Sequence, residues 1–276
     1  MRASRAHGAK VSSHPTKGRT RANRSRCAVR IEAILRRQGR GNGLDKFSVV
    51  VVAAGTGTRM GTPESKQYLP LHGKPVLIHT LAVFQAIDQV ERIVLVVGAA
   101  DISRCELYKE RYGLAKVERI VAGGKDRQES VYLGIQSLPS ATEVVLVHDG
   151  VRPFVSEEQI LSCWREAVRH DAAVLAVPVK DTIKIVDASR RIISTPERQS
   201  LWAVQTPQAF RLSLLKEAHE RARADRFVGT DDAMLVERLG KTVRVVEGDY
   251  RNIKLTTPED MLWANWLMER KGGADG

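Results

Sequence analysis

Five short runs of apolar, mostly β-branched residues, at positions 49–54, 93–97, 144–147, 172–177 and 242–246, restrict what this chain can fold into. They lack the apolar–polar alternation of a half-exposed strand, so they read as strands buried on both faces, and such a sheet needs helices above and below it. Helical patterns lie between the runs. Residues 75–86 begin with a proline suited to a first helical turn. Ser156-Glu157-Glu158-Gln159 has the form of a capping box ahead of residues 160–168, and Thr257-Pro258-Glu259-Asp260 opens a last helix running to about residue 269. This alternation predicts an α/β fold with a doubly wound, mostly parallel sheet, whose ligand crevice lies beyond the carboxyl ends of its strands.

One stretch breaks the pattern. Asp181-Thr182-Ile183-Lys184-Ile185-Val186-Asp187 is followed by a polar Ala188-Ser189-Arg190-Arg191 turn and by Ile192-Ile193-Ser194. That is a β-hairpin signature, placed by the sequence at about residues 181–205 as a projecting arm. A projecting hairpin exposes strand edges, and pairing with a second copy is the natural way to cover them, so a homodimer is expected.

The formal charge of +12 suggests a nucleic-acid or membrane partner until its distribution is considered. Residues 1–43 hold 12 Lys and Arg against Glu32 alone, whereas residues 44–276 hold 32 basic and 31 acidic residues. A nearly neutral body offers no basic face for a duplex, and its apolar runs are shorter than the roughly 18–20 residues that span a bilayer. Neither nucleic acid nor membrane is expected as a partner. The basic extension, residues 1–43, lacks apolar periodicity and is expected to be disordered. Two readings of it stay open: an organellar transit peptide of plastid type, or a leader that is not translated, with Leu44 as a UUG start and the protein in a bacterial cytoplasm. Cys27, Cys105 and Cys163 are scattered without CxxC spacing and no histidines form an HxxxH pair, so neither a disulfide framework nor a zinc site is indicated.

Chemistry concentrates where the first run ends, in Ala53-Ala54-Gly55-Thr56-Gly57-Thr58-Arg59-Met60-Gly61, followed by Lys66-Gln67-Tyr68. Glycines directly after a buried strand let backbone N–H groups approach phosphate oxygens, and Arg59 and Lys66 add full positive charge nearby. The spacing excludes two rivals: GxxxxGK[ST] is absent, and GxGxxG needs glycine where Met60 stands.

This opening resembles that of the 2-C-methyl-D-erythritol 4-phosphate cytidylyltransferase family. The resemblance continues in order through Gly123-Gly124 with Arg127 and Ser130-Val131, His148-Asp149-Gly150-Val151-Arg152-Pro153, and Asp181-Thr182-Ile183-Lys184. It goes on through Arg198 with Leu201-Trp202, Gln205-Thr206-Pro207-Gln208 and Asn252-Ile253-Lys254, and covers about residues 47–266. It implies a fold of nucleotide-diphospho-sugar transferase type, a homodimer held partly by the arm, and transfer of the cytidylyl group of CTP to a polyol phosphate, 2-C-methyl-D-erythritol 4-phosphate, with release of pyrophosphate and with Mg2+. By that resemblance Ala54, Gly55, Gly57, Gly123 and Ser130 hold the nucleotide, and Arg59, Lys66 and Lys254 act on the phosphates. Asp149 and Arg152 lie near ribose, metal or sugar alcohol, with Asp149 the candidate metal ligand. Thr182, Arg198 and Thr206 hold the methylerythritol phosphate, the first two from a partner's arm. A ribitol 5-phosphate cytidylyltransferase shares much of this scaffold and is the alternative. Lys125 and Arg251 depart from the family pattern where acids are common. Trp164, Trp202, Trp263 and Trp266 read as packing residues, and Asp231-Asp232 as the start of a helix.

Overall fold

The computed structural model describes residues 45–55 and 64–272; the basic extension, Gly57 and Arg59 lie outside the described residues. Its eleven strands are β1 (Phe47–Ala53), β2 (Pro70–Leu71), β3 (Lys74–Pro75), β4 (Val90–Val97), β5 (Val117–Ala122), β6 (Val144–Asp149), β7 (Ala172–Pro178), β8 (Ile185–Val186), β9 (Ile192–Ser194), β10 (Trp202–Arg211) and β11 (Arg244–Glu247). The helices are α1 (Val76–Ala86), α2 (Ile102–Arg111), α3 (Arg127–Gln136), α4 (Glu157–His170), α5 (Leu212–Ala224), α6 (Asp232–Arg238) and α7 (Pro258–Gly272).

Seven strands form the main sheet in the order β11-β7-β10-β6-β1-β4-β5. Every pairing is parallel except those of β10 with β6 and β7. Four of the five runs become strands covered on both faces; the fifth, expected to be buried, becomes the edge strand β11, whose Val245 is 51% exposed because no strand lies beyond it and its faces are only partly covered. Along β1, Val49, Val51 and Ala53 pack into one core with Leu77 and Ile78 of α1 and Ile160 of α4, while Val50 packs into a second with Val131 and Ile135 of α3 and Leu215 of α5. At roughly 25 cal/mol per Å2 of apolar surface removed from water, burying one such valine fully is worth about 1.5 kcal/mol or more. From β1 the chain winds outward through β4 and β5, then returns to the other side of β1 with β6. The order therefore reverses between β1 and β6, and the carboxyl ends of these two strands flank the crevice.

Ser156 and Gln159 form the reciprocal capping box at the start of α4, as the sequence indicates. Pro75 differs slightly from expectation: it ends β3 and precedes α1 as its cap residue instead of forming the first turn. The hairpin exists, but it closes earlier than predicted. Its base is marked by the Val179 N–H donating to the Leu201 carbonyl at 3.0 Å, and residues 202–205 belong to β10 in the main sheet. Two strands of the main sheet escape the sequence pattern. β5 is an edge strand carrying Glu118 and Arg119, and β10 is interrupted by Pro207, where its register against β7 shifts between Val204 and Gln208. Trp164 packs on Phe47 with ring centroids 5.3 Å apart, whereas Trp263 and Trp266 stack on one another at the surface.

Candidate active site

A cleft of about 330 Å3 opens at the β1–β6 reversal. Of the residues singled out by sequence, Ala54, Gly55, Lys66, Ser130, Asp149 and Lys254 all line it. Its floor is built by close backbone approach. A Cβ on Gly123 would lie 2.3 Å from the Ala54 Cβ and 2.9 Å from Ser130 Oγ, so only glycine lets the end of β5 draw up to the end of β1. Ser130 then ties the turn together: its hydroxyl donates to the Asp126 carbonyl at 2.8 Å and accepts from the Gly124 N–H at 3.1 Å. Asp126 caps α3 by accepting from the Glu129 N–H at 2.8 Å. On the opposite wall, Gln67 is buried and its amide donates to the carbonyls of Ala53 at 2.8 Å and Gly55 at 3.1 Å, which fixes the path of the chain as it leaves β1.

Asp149, the last residue of β6, is the electrostatic centre. Lys254 Nζ approaches its Oδ2 at 3.0 Å, Arg152 Nε the same oxygen at 3.4 Å, and Arg127 Nε its Oδ1 at 3.4 Å. Burial alone would raise the Asp149 carboxyl, but the charges of Arg127, Lys254 and Arg152 outweigh it and hold the group well below the usual carboxylate range. Asp149 is thus ionised at neutral pH. Lys254 is placed by its neighbours: the Leu255 N–H donates to the Val151 carbonyl at 2.9 Å, and Asn252 donates to the Thr206 carbonyl at 2.9 Å. Arg152 stands behind Asp149, its guanidinium donating to the Asn252 carbonyl at 2.7 Å.

Beneath Asp149 runs a hydrogen-bonded chain that the sequence did not reveal. His148 Nε2 can only donate to the Arg152 carbonyl, at 3.1 Å, so its Nδ1 is an acceptor, and the Thr206 hydroxyl donates to it at 3.1 Å. Thr206 Oγ1 in turn accepts from the Asp149 N–H at 3.1 Å. Burial pushes the His148 pKa down to about 4, which keeps the ring neutral and this tautomer in place. The direct substrate contact expected of Thr206 is therefore not what the geometry presents. The side chain is buried, its proton is committed to His148, and it supports Asp149 from behind.

Thr182 and Arg198 stay on the arm. Both are exposed, neither lines the cleft of its own chain, and Arg198 donates to the Lys180 carbonyl at 3.2 Å. Asp231 caps α6 by accepting from the Met234 N–H at 2.9 Å, as expected of a helix start, whereas Asp232 is buried against Arg127 and His219. Arg251 pairs with Asp249 at 2.6 Å on the surface. Arg127, Gln67, Lys125 and Asp126 also line the cleft; Gln67 and Arg127 belong to the family-like motifs, whereas Lys125 and Asp126 carry no local signal of a cleft role. Among the described residues that line the cleft, Lys66, Lys125, Arg127 and Lys254 stand with Asp126 and Asp149, so the charge of this lining is net positive and suits a polyanion.

This geometry has known counterparts. A family model for 2-C-methyl-D-erythritol 4-phosphate cytidylyltransferase matches residues 47–270. The chain belongs to that family. The cytidylyltransferase of Alkaliphilus metalliredigens is 50% identical over 230 residues, covering 83% of this chain and 95% of the relative. That of Halalkalibacterium halodurans is 50% identical over 226 residues, covering 82% and 98%. Among solved structures, the 4-diphosphocytidyl-2C-methyl-D-erythritol synthase of Anaerococcus prevotii superposes with a TM-score of 0.74 at 34% identity, over 83% of this chain and all of that one. The seven-stranded, mostly parallel sheet of this cytidylyltransferase family member is thus the family's architecture, and the β1–β6 cleft is its candidate active site.

Proposed function

We propose that the β1–β6 cleft joins CTP to 2-C-methyl-D-erythritol 4-phosphate, giving 4-diphosphocytidyl-2-C-methyl-D-erythritol and pyrophosphate in the non-mevalonate route to isoprenoid precursors. Family membership supplies the reaction, and one observation on the site carries its assignment here: four cations line the cleft against two carboxylates, and the central one, Asp149, is held ionised by three of its neighbours. His148 is neutral with both ring nitrogens engaged, and Asp149 is shared by three cations. That arrangement suits a nucleophile already charged at neutral pH. An oxygen of the phosphate monoester attacks the α-phosphorus, the α–β bridging bond breaks, and its electron pair leaves on pyrophosphate. The chemistry needs neutralisation of the gathering charge more than proton removal.

Lys66 and Lys254, which both line the cleft, act on the phosphates, and by the family resemblance so does Arg59. The turn formed by Gly123, Gly124 and Ser130, with Ala54 and Gly55, holds the nucleoside. Nucleotidyltransferases generally use a divalent metal. Among the described residues no three His, Cys, Asp or Glu side chains gather to hold one, so the fit is to an ion bound by Asp149, several waters and the triphosphate itself. Asp149 would hold Mg2+, and the ion would supply positive charge that offsets the triphosphate.

The arm points to a homodimer. Ile185, Ile192 and Ile193 are 49%, 62% and 64% exposed on an isolated two-stranded sheet, which is marginal in water by itself. A second copy covers them and brings Thr182 and Arg198 to the neighbouring cleft. Among the described residues no helix is long and apolar enough to cross a membrane. The buried free thiols of Cys105 and Cys163 suit a reducing cytoplasm.

Pyrophosphate release tests the reading. Turnover is expected with CTP, Mg2+ and 2-C-methyl-D-erythritol 4-phosphate, and loss of turnover on chelation. Ribitol 5-phosphate as the better acceptor would overturn the substrate assignment, and a monomer in sedimentation would overturn the dimer.

A further inference from the structure

A chain of ion pairs leads from the cleft into the protein. Arg127, the first residue of α3, donates through Nε to Asp149 at 3.4 Å and through Nη1 to Asp232 Oδ2 at 2.8 Å. Asp232 is 1% exposed, and its other oxygen meets His219 Nε2 at 3.1 Å, with His219 fully buried. These residues come from three separate helices and meet nowhere in the sequence. Helix α6 does not require the Asp232 carboxylate, since Asp231 supplies the cap. A buried carboxylate costs several kcal/mol in lost hydration, and a buried ion pair is often no more stable than an apolar substitute. Fold stability alone is a weak account of its presence.

We infer that Asp232 is a positioning residue that holds the Arg127 guanidinium at the nucleotide cleft, so that Arg127 stays in place when Asp149 turns to incoming ligands. The inference rests on the nucleotidyl-transfer reading of the cleft. Its logic lies in the inequality of the two anchors. Asp149 lines the cleft, is shared among three cations and is open to competition from a metal or a phosphate. Asp232 does not line the cleft, lies out of a ligand's reach and makes the shorter contact. Arg127 lines the cleft, and its Nη2 donates to no described residue, which leaves that donor for a phosphate oxygen. The Asp232 and Asp149 charges offset the cost of burial and hold the guanidinium in its charged form.

Nitrogen-15 NMR of the ligand-free protein reads the anchor directly. Arg127 should give resolved Nη signals, assigned by their loss in Arg127→Lys, because the bond to Asp232 hinders rotation about Cζ–Nε. Addition of CTP should leave that rotation slow. Asp232→Asn should accelerate it and raise the KM for CTP roughly ten- to hundredfold, the range for one charge-assisted hydrogen bond. The KM for the polyol phosphate should change less than about twofold, and in an Arg127→Gln background Asp232→Asn should add less than about twofold. Fast rotation in the wild-type protein would overturn the inference even if Asp232→Asn failed to fold. So would unchanged rotation in a folded Asp232→Asn, or losses that add independently of Arg127. Absence of turnover by the wild-type protein would instead sink the nucleotidyl-transfer reading, leaving the rotation data to decide whether Asp232 anchors Arg127.

Discussion

Residues in the cleft divide into those whose role follows from their own chemistry and those whose role depends on a distant neighbour. Gly55, Lys66, Asp149 and Lys254 belong to the first kind: a glycine that follows a buried strand, a carboxylate at the end of another and two lysines carry chemistry suited to phosphate, and all four line one cleft. Gly123 was legible as a motif residue, but its cause, the 2.3 Å approach a Cβ would make to Ala54, exists only in the folded chain. Gly123→Ala is predicted to push the ends of β5 and β1 apart and to lower CTP affinity by at least about tenfold, with a stability loss of roughly 1–3 kcal/mol typical of overpacking. Isothermal titration with CTP alongside thermal melting checks both. Arg127, His148 and Thr206 belong to the second kind. Arg127 meets Asp232 across 105 positions and Thr206 meets His148 across 58, separations at which no local pattern carries information.

At the scale of elements, sequence pattern located the strands written as unbroken apolar runs and missed those interrupted by charged, amide or proline residues. β1, β4, β6 and β7 show themselves as unbroken apolar runs because both faces pack into cores. β5 hides because an edge strand tolerates Glu118 and Arg119, and β10 hides because Gln205, Pro207 and Gln208 interrupt it for the sake of the site, Gln205 donating to the Asp249 carbonyl at 2.9 Å and Gln208 to Asp231 at 2.8 Å. The same interruption misplaced the end of the arm. Helix starts were the more readable feature, since a cap is written in four consecutive residues. Ser156→Ala removes the hydroxyl that accepts from the Gln159 N–H at 3.2 Å, and Ser156 does not line the cleft. It is predicted to cost about 1 kcal/mol in denaturant unfolding and to leave kcat unchanged.

For the whole molecule, stability and activity meet at the buried ground under Asp149. The folded pKa of His148, about 4, lies below its unfolded value of 6.5, so the native state binds fewer protons between those limits. Its contribution is fully present above pH 6.5 and is lost as pH falls toward 4, amounting to about 3 kcal/mol over the window. Asp149, held low by its cations, weakens the fold only under more acidic conditions, below the ordinary carboxylate range. Urea unfolding between pH 7.5 and 4.5 should therefore show stability declining with acid, and a flat profile would contradict a neutral, doubly bonded His148. The claim on which the account turns is that cations gathered at the β1–β6 reversal stabilise charge as the α-phosphorus is attacked. Pyrophosphate-release kinetics of Lys66→Ala against the wild-type protein test it most directly. The account predicts a kcat lowered roughly 10²–10³-fold in a folded variant, the range for losing one group that stabilises charge in the transition state. A kcat within about threefold of wild type would be less than 1 kcal/mol of barrier and would contradict it.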